Sequence, residues 1–177
     1  MIANNFNEDF FLQIREQEAW KELSGISGFS WNEELLERYK DKVDWKEISN
    51  NSTILWSTSM IEKFKSNIYW NKFSNNRNHY LYSVENLRKF KTYWNWKILS
   101  SNICVAWNYN MIDEFADLIN WAKFINTYYL IKEFPVQEFF DKYKSYFTVS
   151  SLKNSALWER LINVYKKDLA DKILNNI

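Results

Sequence analysis

Glycine, proline, cysteine and histidine are almost missing from this chain of 177 residues, which holds Gly25 and Gly28, one proline (Pro135), one cysteine (Cys104) and one histidine (His79). So little glycine and proline cannot furnish the turns of a β-sandwich or barrel, or a glycine-rich loop that cradles phosphate. A lone cysteine excludes a disulfide within the chain and a zinc site of several thiolates, and it suits a reducing compartment. Neither sign of charge is in excess: 23 Lys and Arg stand against 22 Asp and Glu, spread along the chain. That balance gives no electrostatic footprint for nucleic acid or an anionic membrane. The longest uncharged run, residues 98–112, is too short to span a bilayer. The opening MIANNFNEDFF lacks the basic start of a secretory signal. These absences leave a single all-α domain in the cytoplasm as the expectation, with no membrane association.

Aromatic residues are plentiful, and they are periodic. Trp20, Trp45, Trp70, Trp96, Trp121 and Phe147 follow one another at intervals of 25 or 26 residues. Four residues after the anchor stands Ser24, Ser49, Ser74, Ser100, Ile125 or Ser151. A second register falls eleven residues after the first at Trp31, Trp56, Trp107 and Trp158, with Leu81 or Tyr82 in the third period and Phe134 in the fifth. The two registers take nine of the ten tryptophans and leave out only Trp94. A constant period in this range is the signature of a repeat array.

Local chemistry turns each period into a helix pair. Asn32, Ser57, Ser83 and Asn108 stand where a side-chain oxygen accepts the first free amides of a helix, and the residues after them carry apolar side chains at helical spacing for about three turns. Pro135 takes the equivalent place in the fifth period. Asp44, Asn95 and Asn120 precede an anchor and predict a second, shorter helix such as WKEIS. Asn51, Asn76 and Asn102 stand where a left-handed C-cap is useful. A helix this short is marginal alone, so stacking of neighbours must bury its apolar face. The expected architecture is a solenoid of about five to six helix-turn-helix repeats over residues 20–157, with an N-terminal cap at 1–19 and a capping helix at 158–177.

Few residues invite chemistry. The register tryptophans read as core, whereas Trp94, beside Trp96 in TYWNW, is a candidate binding residue. His79 lies in the third period, which is one residue longer, and an insertion of this kind sits on one face of an array. Cys104, in NICVAW, reads as a small buried hydrophobe. Glu33 with Glu34 and Asp113 with Glu114 fall in first turns or on outer helix faces. The sequons at Asn50 and Asn51 are incidental in a chain without a secretory signal. No catalytic, cofactor or metal site is expected. The outer faces of the longer helices change charge from period to period, and the basic one, Arg88, Lys89 and Lys91, is a candidate partner surface.

The pattern W-K-x-[IL]-S-x-N, then W-[SN], then [LMI]-I-x-x-F, over about residues 20–165, resembles the tandem tryptophan-containing helical repeats of uncharacterised bacterial and large DNA-virus proteins. The resemblance implies a repeat architecture and carries no catalytic motif. A non-enzymatic protein-binding or scaffold module is the leading expectation, with toxin neutralisation or virus assembly as specific forms of it. An enzyme with a non-local site and a nucleic-acid-binding repeat protein are the alternatives.

Overall fold

In a computed structural model, which describes residues 8–175, the chain is built of thirteen α-helices and two 3₁₀ turns, with no strand among the described residues. It divides into two compact units, Met1–Asn95 and Trp96–Ile177. The first holds α1 (Glu8–Gly25), α2 (Glu33–Arg38), α3 (Trp45–Asn50), α4 (Thr58–Phe64), α5 (Trp70–Phe73), a 3₁₀ turn (His79–Tyr82) and α6 (Val84–Lys89). The second holds α7 (Trp96–Leu99), α8 (Tyr109–Phe115), α9 (Trp121–Phe124), α10 (Tyr128–Ile131), α11 (Val136–Tyr143), a 3₁₀ turn (Lys144–Tyr146), α12 (Val149–Lys153) and α13 (Ala156–Leu174).

Four anchor tryptophans open helices α3, α5, α7 and α9. Trp20 instead lies inside the 18-residue α1, and Phe147 follows a 3₁₀ turn without starting a helix. The expected N-caps form: Asn32, Ser57, Ser83 and Asn108 each accept the amide three residues on, and Asp44 and Asn120 do the same work at α3 and α9. Pro135 stands at the N-cap position of α11, one residue before the helix proper. The longer helices are shorter than the three turns expected, at six to eight residues. The capping helix begins at Ala156 rather than Trp158, because the Ser155 hydroxyl accepts the Trp158 amide. The first seven residues of the expected N-terminal cap lie outside the described residues.

Helices of one or two turns do not hold themselves, so packing supplies their stability. Leu36, Ile48, Ile61, Phe73, Leu87 and Phe90 form the sealed interior of the first unit, and Leu99, Ile112, Phe115, Phe124, Phe139 and Leu157 that of the second. Each such side chain contributes about 1.5–3 kcal/mol over leaving it in water. The anchors are less uniform than the periodicity suggests: Trp45 and Trp121 are buried, while Trp20, Trp70 and Trp96 are half-buried. Their contacts nevertheless recur. Trp20, Trp45, Trp70 and Trp96 each meet the ring 19 or 20 residues later (Tyr39, Phe64, Phe90, Phe115) at 5.1–5.8 Å and 38–40°.

The recurring serine and asparagine bind at long range. In the first unit, Ser24, Ser49 and Ser74 are fully buried. Ser49 donates to the Trp45 carbonyl at 2.6 Å and accepts the Tyr69 amide at 2.9 Å. Ser24 likewise donates to Trp20 and accepts from Asp44, and Ser74 accepts from Asn95. In the second unit Ser100 donates to Trp96 and accepts from Asn120. The asparagine completes the tie: the Asn51 amide donates to the carbonyls of Ser24 and Ile26, and the Asn76 amide to those of Ser49 and Asn51. The left-handed C-cap expected of Asn51, Asn76 and Asn102 is therefore replaced by a different device. No described residue has positive φ, and Asn51 is extended at φ −70° and ψ 111°.

This ladder stops where the sequence departs from its pattern. Ile125 has no hydroxyl, and its carbonyl instead accepts the Leu157 amide at 3.0 Å. The Arg160 guanidinium donates to the carbonyls of Ile131 and Phe134, so α13 closes the second unit against α10 and α11.

Candidate functional site

Trp94 is core rather than platform: only 4% of it is exposed. Its ring stacks on Phe73 at 5.5 Å and 4°, stands edge-on to Trp70 at 5.0 Å, and its indole N–H donates to the Asn86 carbonyl at 3.1 Å. The physical reason lies in the third period, where Tyr82 replaces the second-register indole and spends its hydroxyl on the carbonyls of Phe73 and Asn76. Trp94 packs beside Tyr82 at 5.8 Å and covers Phe73 together with Trp56, which stands edge-on to that ring at 5.0 Å.

Arg88, Lys89 and Lys91 are exposed on and just after α6. Lys89 pairs with Glu62 at 3.6 Å. This is one instance of a rule. Lys63 meets Glu33 at 3.1 Å and Glu37 at 3.4 Å from α4 to α2, and Lys142 meets Asp113 at 2.7 Å from α11 to α8. The charge of each outer face changes so that successive faces attract. These pairs are exposed and screened by solvent, so each adds little to stability. The bond to Glu33 is the chief cause that raises the pKa of Lys63, whereas the pKa of Glu62 is lowered chiefly by its local bond to Lys65 and less by Lys89.

Asp113 of α8 and Lys142 and Tyr143 of α11 bring three titratable groups together. The Asp113 carboxylate accepts from Lys142 and, at 2.8 Å, from the Tyr143 hydroxyl, and its pKa is lowered by the lysine first. Burial pushes the Tyr143 phenol up, and the bond to Asp113 adds to that shift. A phenol so held is a poor base or nucleophile at neutral pH. Cys104 is buried and, as the sole cysteine, forms no disulfide within the chain. Among the described residues no three of His, Cys, Asp and Glu stand together as a metal would require, and no described helix is long and apolar enough to cross a membrane. The Asn51 sequon is buried with its amide in use.

What the helices leave open is their connecting loops. His79 is exposed at the start of the 3₁₀ turn. Beside it Tyr80 is 83% exposed, and in the preceding loop Leu55 is 76% exposed. An open groove of about 360 Å³ next to Leu55 is lined by Trp31, Asn32, Thr53, Ser57 and Met60. In the second unit Ile103 is exposed on a loop and Tyr128 and Tyr129 on the one-turn helix α10, and a groove of about 480 Å³ lies among Ile103, Trp107, Tyr129, Leu130, Lys132 and Glu133. Nothing in the sequence marks these side chains as exposed, because each adjoins apolar residues that are buried, as Leu55 adjoins Ile54 and Trp56 and Tyr129 adjoins Leu130. Compared with known proteins, the chain matches no family model, and neither a curated protein nor a solved structure is similar to it.

Proposed function

We propose that the chain is a non-enzymatic protein-binding module in which tryptophan-anchored helix pairs of 25 to 26 residues stack as a solenoid and present their connecting loops to a partner. The observation that carries this reading is the exposure of large apolar side chains between the longer helices: Ile26 and Leu55 in loops and Tyr80 in a 3₁₀ turn of the first unit, Ile103 in a loop and Tyr128 and Tyr129 on the one-turn helix α10 of the second. Apolar groups gathered outside a filled core mark an interaction surface. The recurring serine and asparagine bonds support the solenoid, since each joins one period to the next. Pairing of the outer-face charges with one another favours the loops over Arg88, Lys89 and Lys91 as the recognition surface, and it also weighs against nucleic acid as the partner. A single cysteine with no disulfide within the chain supports a cytoplasmic setting.

The experiment is affinity capture from the host followed by cross-linking mass spectrometry, with a Leu55→Ser/Tyr129→Ser variant alongside. A protein cross-linked to the loops and recovered several-fold less by the variant is the expected result. Cross-links confined to the outer helix faces, with recovery unchanged in the variant, would refute the loop surface.

A further inference from the structure

Leu55 and Tyr80 occupy equivalent places, ten residues after Trp45 and Trp70. Their loops are stiff. The Asn51 side-chain oxygen accepts the Thr53 amide and hydroxyl, that of Asn76 the Asn78 amide, and that of Asn78 the Tyr80 amide. The Asn78 amide group, itself buried, donates to the Ile54 carbonyl at 2.9 Å and so ties one loop to the other, one residue from Leu55 and two from Tyr80. Buried bonds thus fix a backbone whose outward side chains, Leu55, Arg77, His79 and Tyr80, are all exposed.

The two segments themselves carry charge of one sign, and the Glu33 carboxylate that lines the groove beside Leu55 is held by Lys63. Residues 48–61 and 73–84 contain no Asp or Glu, and Arg77 is their only formal charge. Among the described residues Arg77 makes no ion pair, whereas the lysines of α4 and Lys89 of α6 are each matched to a carboxylate. A tyrosine and an arginine held on rigid backbone are residue types that dominate binding hot spots, and little ordering cost remains to be met on association. An unspent guanidinium selects a carboxylate, which it grips with two parallel bonds.

We infer that Leu55, Arg77, His79 and Tyr80 form a docking site for a peptide segment of a partner protein that carries a carboxylate beside a large apolar side chain. This rests on the protein-binding reading above. A nucleic acid fits less well: one guanidinium is not the basic stripe that a phosphate backbone needs, and Leu55 offers nothing to a base or a phosphate.

The test is selection of a phage-displayed library of random dodecapeptides on the full chain. Expected is enrichment of sequences that place Asp or Glu next to Leu, Phe or Trp. A fluorescein-labelled consensus peptide should then bind with an affinity that falls with added salt and weakens about tenfold or more in Arg77→Glu and in Tyr80→Ala. Circular dichroism melting confirms that each variant is folded, and Arg77→Gln replaces Arg77→Glu if the melt shifts. The site is overturned by no enrichment, by a consensus without carboxylates, or by a consensus whose binding ignores both substitutions. A consensus lost in Tyr129→Ser but not in these variants overturns this site and leaves the protein-binding reading standing. Binding of labelled oligouridylate that is lost in Arg77→Glu, without peptide enrichment, overturns it in favour of nucleic acid.

Discussion

Replacing Trp94 with alanine destabilises the first unit by about 3–5 kcal/mol, the range for a large aromatic removed from a core. The indole touches Trp70, Phe73 and Tyr82, and its loss opens a void that three fixed rings cannot close. It also removes one of two donors to the Asn86 carbonyl, which keeps the Phe90 amide at 3.0 Å. Trp94→Phe keeps most of the volume and loses the donor, so it falls between the two. Trp70→Ala, at a half-buried site, costs less than Trp94→Ala. Urea unfolding measures all three, and a loss below about 1 kcal/mol for Trp94→Ala would mean that the ring is not core.

Asn76→Ala has a comparable effect, about 3–5 kcal/mol, although it removes far less volume. The side chain donates to the Ser49 and Asn51 carbonyls and accepts the Asn78 amide, all in buried surroundings. Each buried group left without a partner costs about 1–3 kcal/mol. Asn76→Asp keeps the shape, removes both donors and buries a charge, so it must be at least as damaging at neutral pH. Asn75→Ala, on the exposed neighbour, should stay within about 0.5 kcal/mol. Equal and small losses at Asn75 and Asn76 would show that the asparagine is only a turn residue.

The contrast between these two side chains explains what was legible in the sequence. Helix class and N-caps were readable because their physics is local: the oxygen of Asn32 or Ser57 and the amide it accepts are three residues apart. The serine and asparagine were readable as conserved spacing but not as chemistry, since their partners are backbone groups 20 to 27 residues away and a carbonyl leaves no mark in a sequence. Trp94 was misjudged by its place outside the registers. A finer signal existed: Trp94 donates to the carbonyl eight residues before it, as Trp31 does to Leu23. The outer charges were read correctly as changing sign, but their meaning needed the neighbouring face, where Lys63 finds Glu33 and Glu37. The loop surface was the least legible part. It shows in the sequence only as a shortage of carboxylates, Glu85 alone against eight Lys and Arg between Glu62 and Asp113.

Hydrogen exchange at Asp44, Tyr69, Asn95 and Asn120 tests most directly whether a buried serine ties each tryptophan-anchored helix to the next. These four amides stand at the starts of short helices, where an N–H ordinarily meets water, yet each donates to the hydroxyl of Ser24, Ser49, Ser74 or Ser100. All four should exchange slowly, at rates close to those of the core amides of their own unit. In Ser49→Ala the Tyr69 amide should lose about tenfold or more of its protection, in keeping with a hydrogen bond of about 1–1.5 kcal/mol, while Asn95 keeps most of its own. Exchange of the four amides at the rate of exposed loops in the unaltered chain, or Tyr69 protection untouched in Ser49→Ala, would contradict the serine tie.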